Sequence, residues 1–189
     1  MVVLTSLSLC LSSQTAHAEF LDTTQSLQAG NLGLAGEFEA GLTDNSPLLL
    51  RLHQAVGLAG GVDLYLREGL FLGGSHAFLV AGGAKWTFLS ESAHRPGLAL
   101  WIGGHYRTSG LAGADVQALI DKRFGRLTPF AGSHFWLDFG QGQSRANLRL
   151  IGGLRVAINS KVAWLVEAGL GLLGDPRPHF VSTGPRIAL

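Results

Sequence analysis

From Leu32 to Leu189 the chain keeps a two-residue beat, with apolar residues on one parity and Gly, Ala and charged residues on the other. Leu148, Leu150, Leu154, Val156 and Ile158 alternate in this way with Asn147, Arg149, Gly153, Arg155 and Asn159. Residues two apart share a face of a β-strand, so each such stretch is a ribbon with one greasy and one polar face. In a soluble sandwich the greasy face points inward. Here the polar parity carries arginines and carboxylates at mid-strand, and the apolar parity is long and nearly uncharged. That combination predicts a sheet turned inside out, with lipid outside and a polar interior.

The N-terminus fits an exported chain. Val2 to Leu11 form a short apolar stretch, Ser12 to Thr15 are polar, and Ala16-His17-Ala18 has small residues at both ends. This reads as a signal peptide over residues 1–18, cut after Ala18, although no Lys or Arg precedes the apolar stretch. The single cysteine, Cys10, lies inside that segment, so the expected mature chain, 19–189, has neither disulfides nor a thiolate site. No other stretch approaches the roughly 18 apolar residues of a spanning helix. The formal charge of +1 offers no basic field, so no nucleic-acid partner is expected. Charged residues are only 14% of the chain, against about 25% in a soluble domain. The 27 glycines suit a barrel whose strands bend around a crowded lumen.

Turn signals divide the rest into about ten candidate strands: 32–42, 48–58, 62–68, 76–88, 97–107, 112–124, 130–139, 146–158, 162–172 and 179–189. The sixth also has helical spacing at Val116, Leu119, Ile120 and Arg123. Thr43–Pro47, Gly60-Gly61, Glu91–Pro96, Gly140–Ser144, Asn159–Lys161 and Gly174–Pro178 read as turns or polar loops. Strands of roughly ten residues match a tilted crossing of a bilayer. The predicted fold is therefore all-β: one antiparallel, up-and-down transmembrane β-barrel of about ten strands, with eight as the alternative. An even number leaves both termini at the same end.

Three stretches carry a resemblance. The first is the signal segment. The second is Arg123-Phe124-Gly125-Arg126-Leu127-Thr128-Pro129-Phe130, which is similar to a short periplasmic turn between two strands. The third is the C-terminus, where Ser182, Gly184, Ile187 and Leu189 fill the slots polar–Gly–apolar–terminal apolar. Together they resemble the small outer-membrane β-barrel proteins of diderm bacteria. The resemblance implies an outer-membrane location, contact with outer-membrane lipid, and recognition of the C-terminal signal by the barrel-assembly machinery. Two departures are a terminal Leu in place of the common Phe, and Pro185, which has no N–H and so breaks one ladder bond unless it lies at a bulge.

The polar parity would line the lumen with Glu37, Glu39, Asp63, Asp115, Asp121, Asp138 and Glu167 facing Arg51, Arg67, Lys85, Arg107, Arg149 and Arg155. Side chains fill a barrel of this size, so the expected role of these charges is a salt-bridge network that plugs the lumen. A narrow ion or solute path is the sharper reading. His105 and Ser109 are four apart with Arg107 between, a spacing that does not match the His and Ser two apart of outer-membrane lipid A deacylases. His53, His76, His105 and His134 lack ligand spacing, so no metal or other cofactor is expected. The Gly-rich stretches at 57–61 and 73–74 lack the context of a phosphate loop. Trp86, Phe88 and Trp164 are candidates for an aromatic belt.

The sequence points to a structural or narrow-pore barrel without catalysis. Two other readings stay open: a soluble lipocalin-like barrel holding an apolar ligand, and a lipid-modifying enzyme. The choice turns on which parity faces out. For the export reading, N-terminal sequencing of the mature protein is expected to begin at Glu19, and a mature chain beginning at Met1 overturns it.

Overall fold

In the computed structural model the described residues are 23–42, 48–72, 77–140, 142–174 and 179–189. The proposed signal peptide, Glu19, Cys10, His76, the Thr43–Pro47 and Gly73-Gly74 turns and most of Gly174–Pro178 lie outside them. Ten strands form: β1 Leu32–Gly41, β2 Leu48–Gly57, β3 Val62–Leu72, β4 Ala77–Leu89, β5 Gly97–Arg107, β6 Leu111–Asp121, β7 Leu127–Gly140, β8 Gln143–Ala157, β9 Val162–Leu173 and β10 Phe180–Ala188. Each strand pairs antiparallel with its neighbours in sequence, and β1 pairs with β10, closing the barrel. The count is ten, not eight.

The sixth element is a strand. Its ladder runs unbroken from Gly97 opposite Asp121 to Arg107 opposite Leu111. The helical spacing loses because an isolated turn of helix would strand the backbone groups of β5 and β7 on either side. β3 runs past the expected limit of 68 to Leu72, so Phe71 and Leu72 belong to the wall. β7 begins at Leu127, and Pro129 sits inside it, facing outward. At the β2–β3 reversal Gly60 and Gly61 have φ of 75° and 76°, a backbone region nearly closed to other residues.

The parity question has a direct answer: the apolar parity faces out. Leu50, Leu64, Ile102, Leu150, Val166 and Leu170 stand 43–56% exposed on the outer wall. Trp86, Phe88, Phe124 and Trp164 lie on the outside near the end that holds both termini. Phe78, Tyr106 and Phe139 lie on the outside near the other end. This apolar wall with aromatic residues toward both rims is the outer surface of a transmembrane barrel. A lipocalin-like chain needs the reverse orientation. One carboxylate departs from the pattern: Glu68 is on the outward parity of β3, opposite Leu52 and Val80.

The interior is not purely polar. Leu49, Tyr65, Leu79, Trp101, Leu119, Phe130, Trp136, Ile151, Leu165 and Phe180 are buried there with the charges. Their bulk explains several inward glycines. A Cβ on Gly153 would stand 2.5 Å from the Phe130 ring and 2.4 Å from the Val166 carbonyl, so even Ala does not fit there. Outward-facing Gly152 has room, its nearest neighbour being the Phe130 carbonyl at 3.7 Å. Leu150→Arg and Val166→Arg are therefore expected to destabilise the barrel in lipid by about 2–4 kcal/mol if they lie near the midplane. Gly152→Ala is expected to be tolerated. Equal tolerance of all three in refolding titrations into lipid would show that this wall does not face hydrocarbon.

Candidate functional site: the charged lumen

All thirteen charges expected in the lumen lie on the inward parity, but they do not form one network. The structure gathers most of them in three groups, and it adds residues that the strand pattern did not single out.

The first group closes the end with the termini. Residues 23–28 enter the barrel ahead of β1 and cross its mouth as a strap. Thr24 donates through its backbone N–H and its hydroxyl to the two oxygens of Asp121, both at 2.7 Å. Leu27 N–H donates to Asp63 Oδ1 at 3.0 Å. Lys85 Nζ donates to the Gln25 carbonyl at 2.6 Å and lies 3.0 Å from Asp63 Oδ2. Asp63 and Lys85 are both 0% exposed. Thr87 donates to the Thr24 carbonyl, and Ser26 donates to the Gly61 carbonyl at 2.8 Å. The strap thus touches β3, β4 and β6, which in a ten-strand ring takes it from β1 to the opposite wall. The fit is close enough that a Cβ on Gly97 would meet Thr24 Oγ1 at 1.8 Å.

The second group surrounds Glu37. Arg51 Nη1 donates to Glu37 Oε1 at 2.9 Å, while its Nη2 lies 2.8 Å from Glu39 Oε2. His53 Nε2 and Arg186 Nη2 approach Glu37 Oε2 at 3.0 and 3.5 Å as ion contacts, off the line of a hydrogen bond. Arg149 reaches Glu39 only at 3.9 Å. Arg155 donates to Thr128 at 3.0 Å.

The third group is built on imidazoles. His105 bridges Asp115 Oδ2, at 2.5 Å, and Asp138 Oδ1, at 2.7 Å. His134 Nε2 lies 3.0 Å from Asp115 Oδ1, and Asn147 donates to Asp138 Oδ2 at 3.2 Å. The two carboxylates are therefore taken up by histidines and an amide. His105 points into the lumen and away from lipid. Among the described residues no group of three or more His, Cys, Asp or Glu could hold a metal.

Arg67 and Arg107 make no salt bridge among the described residues. Arg67 lies over the Trp101 ring at 4.8 Å and Arg107 over Phe71 at 5.6 Å. Arg149 is stacked on Phe180, 4.2 Å from the ring centroid. With Arg51, these arginines line a cavity of about 70 Å³.

The C-terminal signal residues sit at the seam where the sheet closes. Ser182 and Gly184 point inward, and Ile187 and Leu189 point outward. A Cβ on Gly184 would lie 2.0 Å from the Gly36 carbonyl, so only glycine permits this approach of β10 to β1. Pro185 is not at a bulge. The register is constant from Ala35 opposite Arg186 to Phe38 opposite Thr183, and the two pairs between are absent from the ladder. The bond lost is the one that residue 185 would donate to Gly36. Arg186 Nη1 supplies it instead, donating to the Gly36 carbonyl at 2.9 Å. Arg186 is on the parity of Ser182 and Gly184, which is the signal that marks it as a lumen residue.

No protein-family model matches the sequence, and no curated protein matches it. Solved structures of similar shape include a designed transmembrane β-barrel, at 15% identity and TM-score 0.44 over 87% of this chain and 100% of that one. Another is the N-terminal β-barrel domain of Pseudomonas aeruginosa OprF, at 10% identity and TM-score 0.44 over 85% of this chain and 98% of that one. What faces lipid and what fills the lumen follow from this chain's own residues.

The seam gives a double-mutant test. Arg186→Met is expected to cost about 1–3 kcal/mol, because it leaves the Gly36 carbonyl without a donor. Pro185→Val restores a backbone N–H, so the cost of Arg186→Met should fall in that background. Strict additivity of the two changes in unfolding titrations would show that Arg186 does not mend the ladder.

Proposed function

We propose that the chain is an outer-membrane β-barrel protein with a structural role, its lumen closed to all but a narrow path and its chemistry non-catalytic. The observation that carries this reading is the sorting of side chains. Large apolar residues stand half exposed around the wall, while the charges are buried inside. A barrel in water would have to expose that wall, and a single apolar patch beyond a few hundred Å² is already unusual on a soluble monomer. In a bilayer the same wall is solvated by lipid, and the closed ladder leaves no unpaired edge in hydrocarbon.

Two features support the closed lumen. The strap crosses one mouth, held by Asp121, Asp63 and Lys85. The inward aromatic and aliphatic side chains occupy much of what remains. On this reading residues 1–18 direct export, the C-terminal strand is the element read by the barrel-assembly machinery, and the surrounding partner is outer-membrane lipid. His105 acts as a hydrogen-bonded strut between two aspartates.

Expressed with its own leader in a diderm host, the protein is expected in the outer-membrane fraction, resistant to urea extraction and migrating differently before and after boiling. Accumulation as a soluble folded protein overturns the membrane reading. In planar bilayers the wild-type barrel should conduct weakly. Replacing Thr24 and Asp121 together with Ala should raise the open-state conductance by loosening the strap. A high wild-type conductance that the double change leaves unaltered overturns the closed-lumen reading.

A further inference from the structure

We propose that the arginine-lined cavity of the lumen is a binding site for a compact oxyanion of the phosphate or sulfate class. Four arginines line the cavity, Arg51, Arg67, Arg107 and Arg149, against a single carboxylate, that of Asp115, which His105 and His134 hold. Like charges gathered in a low-dielectric interior repel one another unless anions stand between them. The carboxylates nearby are already spoken for. Glu37 and Glu39 are held by Arg51, with Arg149 3.9 Å from Glu39, and Asp115 and Asp138 are held by His105, His134 and Asn147. Arg67 and Arg107 are left with no carboxylate within ion-pair distance among the described residues.

Residues that line this space carry buried donors without acceptors. The Nε–H groups of Arg67, Arg107 and Arg149 and the indole Nε1–H of Trp101 have no hydrogen-bond partner. Trp101 is only 1% exposed, so bulk water does not satisfy its N–H. A native structure rarely leaves several buried donors unmet around one cavity, and a shared acceptor resolves all of them at once. Ring contacts hold the guanidinium planes: Arg67 on Trp101 and Arg149 on Trp136 and Phe180. A guanidinium stacked on a ring keeps its in-plane N–H donors free. Those donors form the planar fork that matches oxygens of phosphate, sulfate or carboxylate.

The size also fits. One water needs about 10–15 Å³ of such space, so a cavity of about 70 Å³ holds roughly five water-sized centres. A tetrahedral oxyanion has five heavy atoms. The side of approach is set by Arg107, the last residue of β5, which lies at the end away from the strap.

The test uses the full barrel folded in zwitterionic detergent, with inorganic phosphate as the probe and sulfate in a parallel series. Ionic strength is held constant with gluconate, an anion too large for the cavity. The melting temperature is expected to rise saturably with phosphate and to stay flat in gluconate. Arg67→Met and Arg107→Met should each weaken the apparent affinity at least about tenfold. Neither change orphans a carboxylate, so both variants should fold. Trp101→Phe removes the indole N–H while keeping an aromatic ring, though a smaller one, beneath Arg67; it should weaken binding several-fold, and it decides the matter if the Met variants do not fold. The proposal is overturned if phosphate and sulfate leave the melting temperature unchanged, if gluconate gives the same rise, or if the variants bind as tightly as the wild type. The measurement needs only the folded barrel, so its failure leaves the membrane reading standing.

Discussion

The contact between β1 and β10 is the constraint on which the rest of the molecule depends. Until those two strands meet, the sheet has two free edges, and every unpaired N–H and C=O on them would face lipid or a half-formed lumen. The seam is also the least regular part of the wall. Pro185 removes a donor, and Gly36 and Gly184 bring the backbones close. Arg186 restores the missing bond from the side, and the same guanidinium reaches Glu37. The defect in the wall is thereby tied to the charge cluster inside it, through Arg51, Glu39 and His53.

The inward charges replace the hydrophobic core of an ordinary domain, and the replacement is stringent. An apolar core tolerates imperfect neighbours, whereas a buried charge that loses its partner costs several kcal/mol. This explains the division of labour among the three groups. Lys85 and Asp63 are fully buried, and both also bind the strap. Glu37 meets three cationic or imidazole partners. Three of the cavity arginines, Arg67, Arg107 and Arg149, lie over aromatic rings, whose faces attract the cation.

Much of this could be read from alternation alone. Strand limits moved by up to four residues, but the Leu148–Ile158 stretch revealed both the strand and its outward face, because a period of two fixes every side chain once one is placed. Pairing between strands was harder to read. That Asp115 meets His105 and His134, or that Arg186 meets Gly36, depends on shear and closure, which no local pattern encodes. The strap was invisible because Thr23–Gln28 has neither period nor charge. Its role comes from hydroxyls and backbone groups that meet Asp121 and Lys85 only in the closed ring. Nothing in the sequence marks Gly153 as irreplaceable, since a glycine on the lumen parity gives no hint of the Phe130 ring beside it.

The strap also sets an order of events in folding. Thr24 and Asp121 are 97 residues apart, and Arg186 and Gly36 are 150 apart. Contacts so distant in sequence form late, since the loops they close must first be paid for in chain entropy. The hydrogen bonds of Thr24 have no Asp121 to meet until β6 stands across the ring from β1. The strap is therefore held only once the sheet has curved far enough to bring its two sides face to face, and its anchoring reports on the shape of the wall.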